Sequence, residues 1–280
     1  MPDIFHSLRQ ERLDSPCGPV YYWIDKVENS GPPLVFLPGL TADHTLFTRQ
    51  AEYYRGRRSI LVWDTPAHGL SRPYDGFSYT RFAGHLKEIL EREGLSSPVL
   101  VAQSMGGFIA QAFIDQYPGE TAGFVAVDTC PLGWSWYSRS DIWWLRQVEW
   151  MARCFPHRLL VQSIAASCTR SKEARASMAA SLAPYGKREL CRLMGAAYTV
   201  FLEENREIQI DCPVLILVGE KDKTGKVMQY CRAWNKTTGY PMAVIPGAAH
   251  NSNYDQPDAV NRLIDGFLER LETELPDAAL

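Results

Sequence analysis

One ten-residue stretch, PVLVAQSMGG at positions 98–107, constrains the fold of this chain more than any other. Its apolar run VLV predicts a buried strand, and residues 108–117 follow a helical pattern. Only a very tight turn joins a strand to a helix in so few residues, and Ser104 stands at that turn. Ala102 and Gly106, two positions on either side, are small enough to avoid clashes with neighbouring strands. The pattern predicts a serine hydroxyl raised above a sheet, over the N-terminus of a helix.

Short apolar runs alternate with amphipathic stretches over most of the remaining chain. Predicted strands cover residues 18–24, 34–37, 59–63, 99–101, 123–127, 213–218 and 242–245, and predicted helices include 47–54, 79–93 and 257–273. Strands that alternate with helices favour a mostly parallel sheet covered on both faces. We therefore predict an α/β fold with a mostly parallel central sheet flanked by helices. In such a sheet the reactive side chains gather at the carboxyl ends of the strands.

The pattern changes between residues 131 and 205. Strand-like runs disappear there, and amphipathic helical stretches follow one another. We therefore predict that residues 1–130 and 206–280 form one core, and that residues 131–205 are a helical cap inserted into it.

Tryptophan is concentrated in this predicted cap. Five of the eight tryptophans of the chain lie there. Four of them are candidate residues of a substrate pocket: Trp134, Trp136, Trp143 and Trp144. Packing within the cap is the commoner role of such rings, so the two interpretations stay open at this stage.

Three residues that could act together follow predicted strand ends, in the order Ser104, Asp222 and His250. A serine hydroxyl is a poor nucleophile at neutral pH and needs a base to accept its proton. Histidine suits that task because its ordinary pKa is about 6.5. A buried carboxylate orients the imidazole and stabilises the imidazolium that forms. Asp128 also follows a strand end and is an alternative acid, although the pattern favours Asp222.

Five motifs resemble those of the α/β-hydrolase superfamily, in particular its small capped serine esterases and C–C hydrolases. They are LVFLPGL (34–40), WDTPAHGLS (63–71), VLVAQSMGG (99–107), VLILVGEKD (214–222) and IPGAAH (245–250). The resemblance covers nearly the whole chain, and the chain order of nucleophile, acid and histidine is also that of α/β-hydrolases.

The resemblance implies a role for each matching residue. Ser104 matches the nucleophile of the nucleophile elbow, Asp222 the acid of the catalytic triad and His250 the base. The oxyanion hole would consist of two backbone N–H groups, those of Leu40 and Met105. No metal and no organic cofactor is implied.

These features predict a carboxylesterase-like serine hydrolase that cleaves an ester-type bond of a small, mostly apolar substrate through an acyl-enzyme. Relatives with the same triad include C–C bond hydrolases, lactonases, aminopeptidases and acyltransferases, which stay open as alternatives. A non-catalytic receptor for a small ligand is a further alternative. An aminopeptidase would need acidic groups in the cap to hold the substrate amine, and Asp141, Glu149 and Glu173 are available.

Composition narrows the class of partner. The 280-residue chain has 29 Lys and Arg against 32 Asp and Glu, and its net charge of −3 gives no reason to expect nucleic acid or an anionic membrane. No apolar run approaches the roughly 20 residues of a membrane span, and the start does not resemble a secretion signal. Seven cysteines without metal-type spacing favour reduced thiols. We expect a cytoplasmic monomer or homodimer that acts on a small molecule.

Overall fold

The central feature of the fold is an eight-stranded sheet with the order β1-β2-β4-β3-β5-β6-β7-β8. The computed structural model describes residues 4–274. The strands are β1 Arg9–Ser15, β2 Gly18–Asp25, β3 Leu34–Leu37, β4 Ile60–Trp63, β5 Val99–Gln103, β6 Gly123–Val127, β7 Val214–Gly219 and β8 Met242–Ile245. Strands β3 to β8 pair in parallel, and β1 and β2 join one side through antiparallel pairs. The predicted α/β class, with a mostly parallel sheet flanked by helices, is confirmed.

Helices connect the strands. They are α1 Thr48–Tyr54, α2 Tyr79–Glu93, α3 Met105–Gln116, α4 Arg139–Leu145, α5 Val148–Cys154, α6 His157–Cys168, α7 Lys172–Leu182, α8 Lys187–Glu204, α9 Val227–Thr238, α10 Ser252–Asp255 and α11 Pro257–Glu274. Helices α4 to α8 lie between β6 and β7, in the stretch for which the sequence predicts a cap. Among the helices of residues 4–274, none has the length and apolar character needed to cross a bilayer.

Strand β5 shows how the helices cover both faces of the sheet. Val99 and Val101 pack in one apolar cluster with residues of α1 and α11, whereas Leu100 and Ala102 pack in another with residues of α2 and α3. All five residues of β5 are buried. A strand buried on both faces reads as a continuous apolar run, which is why the sequence shows no alternation here.

Residues 18–24 form a strand, as predicted. The expectation that this strand is the first is wrong, because β1 precedes it. Strand β1 pairs with β2 from Arg9 opposite Ile24 to Ser15 opposite Gly18. Only Leu13 of its seven residues is buried. An edge strand with charged, exposed side chains has little apolar signal and resists pairing with other chains.

Candidate active site

The turn at Ser104 joins β5 to α3 through a single residue. Ser104 has φ +50° and ψ −117°, which is a strained conformation for a residue with a side chain. The end of β6 holds it in place. The Ser104 N–H donates to the Val127 carbonyl oxygen at 2.9 Å, and the Thr129 hydroxyl donates to the Ser104 carbonyl oxygen at 2.7 Å. The tight strand-to-helix turn predicted from the sequence is therefore present.

Two glycines let the backbone approach this turn closely. A Cβ atom on Gly106 would lie 2.1 Å from the carbonyl oxygen of Leu37, so α3 packs directly against the end of β3. A Cβ atom on Gly39 would lie 2.1 Å from Gln103 Oε1 and 3.1 Å from Ser104 Cβ. The loop that follows β3 therefore passes directly against Ser104.

Ser104, His250 and Asp222 form a continuous hydrogen-bonded chain. His250 Nε2 lies 2.8 Å from Ser104 Oγ, and His250 Nδ1 lies 2.8 Å from Asp222 Oδ2. The other Asp222 oxygen, Oδ1, accepts from the Thr224 N–H at 2.7 Å. The Asp222 side chain is fully buried, and that of His250 is 6% exposed. The structure thus brings together three residues that lie far apart in the sequence.

The surroundings of His250 favour its protonated form. Burial alone lowers the pKa of His250, but the charge and hydrogen bond of Asp222, together with the charge of Asp128, outweigh that effect. The pKa of His250 therefore lies above its ordinary value of 6.5. An imidazole with a raised pKa is a stronger proton acceptor once it is neutral.

Asp128 lies near His250 but forms its hydrogen bonds elsewhere. Its Oδ1 accepts from the Gly219 N–H at 2.7 Å, and its Oδ2 accepts from the Ser252 N–H at 3.0 Å. Burial raises the pKa of Asp128, and the nearby Asp222 charge adds to this, whereas His250 opposes it. Of the two carboxylates considered from the sequence, Asp222 is the one that contacts the imidazole.

The backbone around His250 is held at four successive residues, 249–252. The bonds run from the Ala249 N–H to Asp255 (3.0 Å), from the Gln103 side-chain amide to the His250 carbonyl (2.8 Å), from the Asn251 N–H to the Cys168 carbonyl (2.8 Å), and from the Ser252 N–H to Asp128 (3.0 Å). The four partners come from α10, β5, the end of α6 and the loop after β6. The position of the imidazole is therefore set by the backbone as well as by Asp222.

Two of these four hydrogen bonds depend on the end of α6 and on the connection between α6 and α7. Asp255, which holds Ala249, also accepts from the N–H groups of Arg170 and Ser171 at 2.8 to 2.9 Å. Cys168, which holds Asn251, is the last residue of α6. Of the four residues that hold this backbone, only Asp128 was identified from the sequence as a candidate site residue. The one signal available was the position of Gln103, directly before Ser104.

Two backbone N–H groups near Ser104 have no partner. Among residues 4–274, neither the Leu40 N–H nor the Met105 N–H donates to a protein acceptor. Met105 is the first residue of α3, where N–H groups have no intrahelical partner. Leu40 follows Gly39 in the loop that contacts Ser104. Both groups are therefore free of protein acceptors, and their role as an oxyanion hole stays a prediction.

Comparison with known proteins identifies the family of this chain. Residues 34–263 match the model of the Alpha/beta hydrolase family. The chain belongs to this family. The match includes β3, β5, β7 and the whole hydrogen-bonded chain from Ser104 to Asp222, so the resemblance seen in the motifs is confirmed.

Solved structures of other hydrolases have the same fold. A thermophilic esterase from Thermogutta terrifontis has a TM-score of 0.75 and 20% identity, with coverage of 94% of this chain and 99% of that one. The N-acyl homoserine lactonase AidH, complexed with N-hexanoyl homoserine lactone, has a TM-score of 0.76 and 20% identity, with coverage of 95% and 99%.

Curated relatives of this chain have varied activities. An sn-1-specific diacylglycerol lipase of Xenopus tropicalis is 34% identical over 103 residues, and the match spans only 32% of that protein. A 2-(acetamidomethylene)succinate hydrolase of Mesorhizobium japonicum is 22% identical over 256 residues, which is 86% of this chain and 90% of that one. The relatives agree on hydrolysis and differ in the substrate.

A cavity of about 380 Å³ is lined by Ser104 and His250, among other residues. Helices α3, α4, α8 and the start of α9 form its wall. Apolar side chains dominate that wall: Phe108, Leu145, Phe201 and Val227. Of the elements in the predicted cap, α4 and α8 contribute helical residues to this wall.

Only one of the four candidate pocket tryptophans, Trp144, lines this cavity. The expectation is wrong for Trp134, Trp136 and Trp143, which lie outside its wall. Trp134 and Trp143 are 40% and 55% exposed, and Trp136 packs against the main apolar cluster. On α4, Asp141, Trp144 and Leu145 line the cavity, whereas Trp143 does not.

The three acidic residues of the predicted cap that were considered for binding a substrate amine each form an ion pair. Asp141 on α4 lines the cavity, and its Oδ1 lies 2.5 Å from Lys226 Nζ. Glu149 and Glu173 each pair with an arginine and do not line the cavity. The one carboxylate that the predicted cap contributes to the cavity wall, that of Asp141, is thus paired and is not free for a substrate amine.

Proposed function

We propose that this hydrolase cleaves an ester-type bond of a small, uncharged, mostly apolar substrate through an acyl-enzyme on Ser104. The observation that carries the proposal is the hydrogen-bonded chain from Ser104 through His250 to Asp222 beneath an apolar cavity. We further propose that residues 131–205 act as the cap that shapes this cavity.

The first half-reaction acylates the enzyme. Ser104 Oγ attacks the ester carbonyl carbon while its proton passes to His250 Nε2. The N–H groups of Leu40 and Met105 hold the negative charge that develops on the carbonyl oxygen. Loss of one such donor typically costs about 3 kcal/mol of transition-state stabilisation. The tetrahedral intermediate then breaks its C–O bond, and His250 gives its proton to the departing alcohol.

The second half-reaction restores the enzyme. Water attacks the acyl carbon while one of its protons passes to His250 Nε2. The bond between the acyl carbon and Ser104 Oγ then breaks, and His250 returns the proton to the serine. The carboxylic acid leaves, and Asp222 stabilises the imidazolium in both halves. The protein's own residues supply every group that these steps use.

The charge of the cavity wall supports an uncharged substrate and weighs against the aminopeptidase alternative. An aminopeptidase binds a substrate ammonium, and burial of an unpaired charge is costly. Asp141 is the one cap carboxylate in the wall, and it is paired with Lys226. A lactone is a cyclic ester and would follow the same steps, so lactones belong in the substrate panel.

We also propose that the protein is cytoplasmic and acts as a monomer or homodimer. All seven cysteines are free thiols, which suits a reducing compartment.

Labelling with a fluorophosphonate probe tests the proposed nucleophile directly. We expect one phosphonyl group per chain on Ser104, identified by peptide mass spectrometry, because this serine is hydrogen-bonded to the histidine that would activate it. The matched control is Ser104→Ala, which should not be labelled. A folded wild-type protein that resists labelling would favour the non-catalytic receptor.

The pH profile of kcat/KM for a p-nitrophenyl ester should show an acid limb controlled by His250. Activity needs the neutral imidazole, so it should fall as the pH drops through the raised pKa of His250. The midpoint is expected above 6.5, the ordinary histidine value. Asp222→Asn should move the midpoint to lower pH, because it removes the largest effect that raises this pKa. A midpoint below 6.5 in the wild type would contradict the arrangement.

A further inference from the structure

Most polar side chains in the cavity wall already bond to other protein groups. Four of them have such partners: Thr129, Tyr137, Asp141 and Tyr230. The Tyr137 hydroxyl, for example, donates to the Pro131 carbonyl oxygen at 2.7 Å. These groups shape the wall without offering a free donor to a ligand.

Tyr198 is the exception. It lies in the middle of α8 and lines the cavity together with Ser104 and His250. Among residues 4–274, no protein group forms a hydrogen bond with its hydroxyl. The Thr224 hydroxyl also lacks a partner, but its oxygen is fully enclosed by protein. Tyr198 is therefore the side chain in this wall that presents an unused donor to a ligand.

The Tyr198 hydroxyl is a neutral donor over the whole working range of pH. Burial raises its pKa to about 12. A phenol in an apolar wall needs a partner once a ligand displaces water, because an unpaired buried hydroxyl costs free energy. Since the charges of Asp141 and Lys226 balance each other, the matching ligand group is an uncharged acceptor.

We propose that Tyr198 is a specificity-determining residue that donates a hydrogen bond to a second oxygen of the substrate. The preferred substrates are then uncharged esters that carry an ether or carbonyl oxygen in addition to the scissile group. This inference rests on the proposed esterase function and adds to it the chemical class of the substrate.

Matched esters test the inference. One series compares p-nitrophenyl hexanoate with analogues in which an oxygen replaces one CH₂ of the acyl chain, position by position. A second series compares hexyl acetate with the corresponding ether-containing alcohols. Each kcat/KM is divided by the rate of hydroxide-catalysed hydrolysis of the same ester, which removes differences in intrinsic reactivity.

In the wild type, we expect one oxygen position in one series to be preferred over the all-carbon ester by about tenfold, the effect of one uncharged hydrogen bond. Tyr198→Phe should remove that preference, measured within the variant as the ratio of the corrected kcat/KM of the oxygen-containing ester to that of the all-carbon ester. The matched control is Tyr137→Phe, which removes a hydroxyl that bonds to protein in the same wall and should keep the preference. Thermal unfolding checks that both variants are folded.

The outcomes separate the two proposals. If the wild type hydrolyses neither series, the esterase proposal fails, and this inference fails with it. If the wild type hydrolyses the all-carbon esters but shows no preferred oxygen position, only the role of Tyr198 is overturned. Retention of the preference in Tyr198→Phe, or its loss in Tyr137→Phe, also overturns that role. If Tyr198→Phe does not fold, the position profile of the wild type decides alone.

Discussion

Replacement of Ser104 by alanine should lower kcat/KM for p-nitrophenyl hexanoate by at least about 10⁴-fold. The variant lacks the hydroxyl oxygen that lies 2.8 Å from His250 Nε2, so we expect no acyl-enzyme to form. The residual rate would come from substrate binding and from the N–H groups of Leu40 and Met105 acting on attack by water. Initial rates at saturating and limiting substrate measure the effect.

The control for Ser104→Ala is the same substitution at a serine of the predicted cap that does not line the cavity. Ser181 on α7 is buried and does not line the cavity, so Ser181→Ala should keep activity within a few-fold of the wild type. Alanine at position 104 must still adopt φ +50°, and thermal unfolding of both variants shows whether the turn survives. Undiminished turnover in a folded Ser104→Ala protein would rule out the acyl-enzyme mechanism.

The second large effect is expected for Asp222→Asn, which should lower kcat by about 10³- to 10⁴-fold. An amide in place of the carboxylate cannot stabilise the imidazolium and favours the wrong tautomer of His250. The Asp222 side chain is fully buried, so solvent cannot replace the lost charge. Measurement of kcat above the midpoint of the acid limb separates this loss from the shift in pKa.

Asp128→Asn is the matched control, because it replaces a second buried carboxylate near the same histidine. An asparagine has one acceptor oxygen, so the N–H of either Gly219 or Ser252 would lose its partner. A buried N–H without a partner costs about 1–3 kcal/mol, which should appear as lower stability to urea. Activity should fall far less than in Asp222→Asn. If kcat instead fell as much as in Asp222→Asn, Asp128 would be the acid of the triad.

The elements around Ser104 could be predicted because their sequence signals are local and strong. Strands that are buried on both faces appear as short apolar runs, and β3, β6 and β8 have the predicted bounds. The turn at Ser104 needs small neighbours, which the sequence displays directly. Strand β1 gave no such signal, because six of its seven side chains are not buried.

The wall of the cavity could not be predicted in the same way. Composition shows that the predicted cap is rich in tryptophan, but the direction of each ring depends on how a helix is rotated about its axis. On α4, Trp144 lines the cavity and Trp143 does not, although both are 55% exposed. Tyr198 has no distinctive neighbours in the sequence and becomes notable only because its hydroxyl lacks a partner. The bonds of Gln103 and Asp255 are long-range contacts that no local pattern encodes.

The four hydrogen bonds that hold residues 249–252 limit how freely residues 131–205 of this protein could be exchanged. In protein engineering, an inserted lid is often treated as an exchangeable part that can be recombined between homologues. Here a transplant of residues 131–205 would also replace Cys168, Arg170 and Ser171, whose backbone groups bond to the His250 loop and to Asp255. We expect such a chimaera to shift the His250 backbone, although the side chains of Ser104, Asp222 and His250 are retained. A change of specificity is better sought by point substitutions at the residues of α4 and α8 that line the cavity. These leave the hydrogen bonds between residues 168–171 and the His250 loop intact.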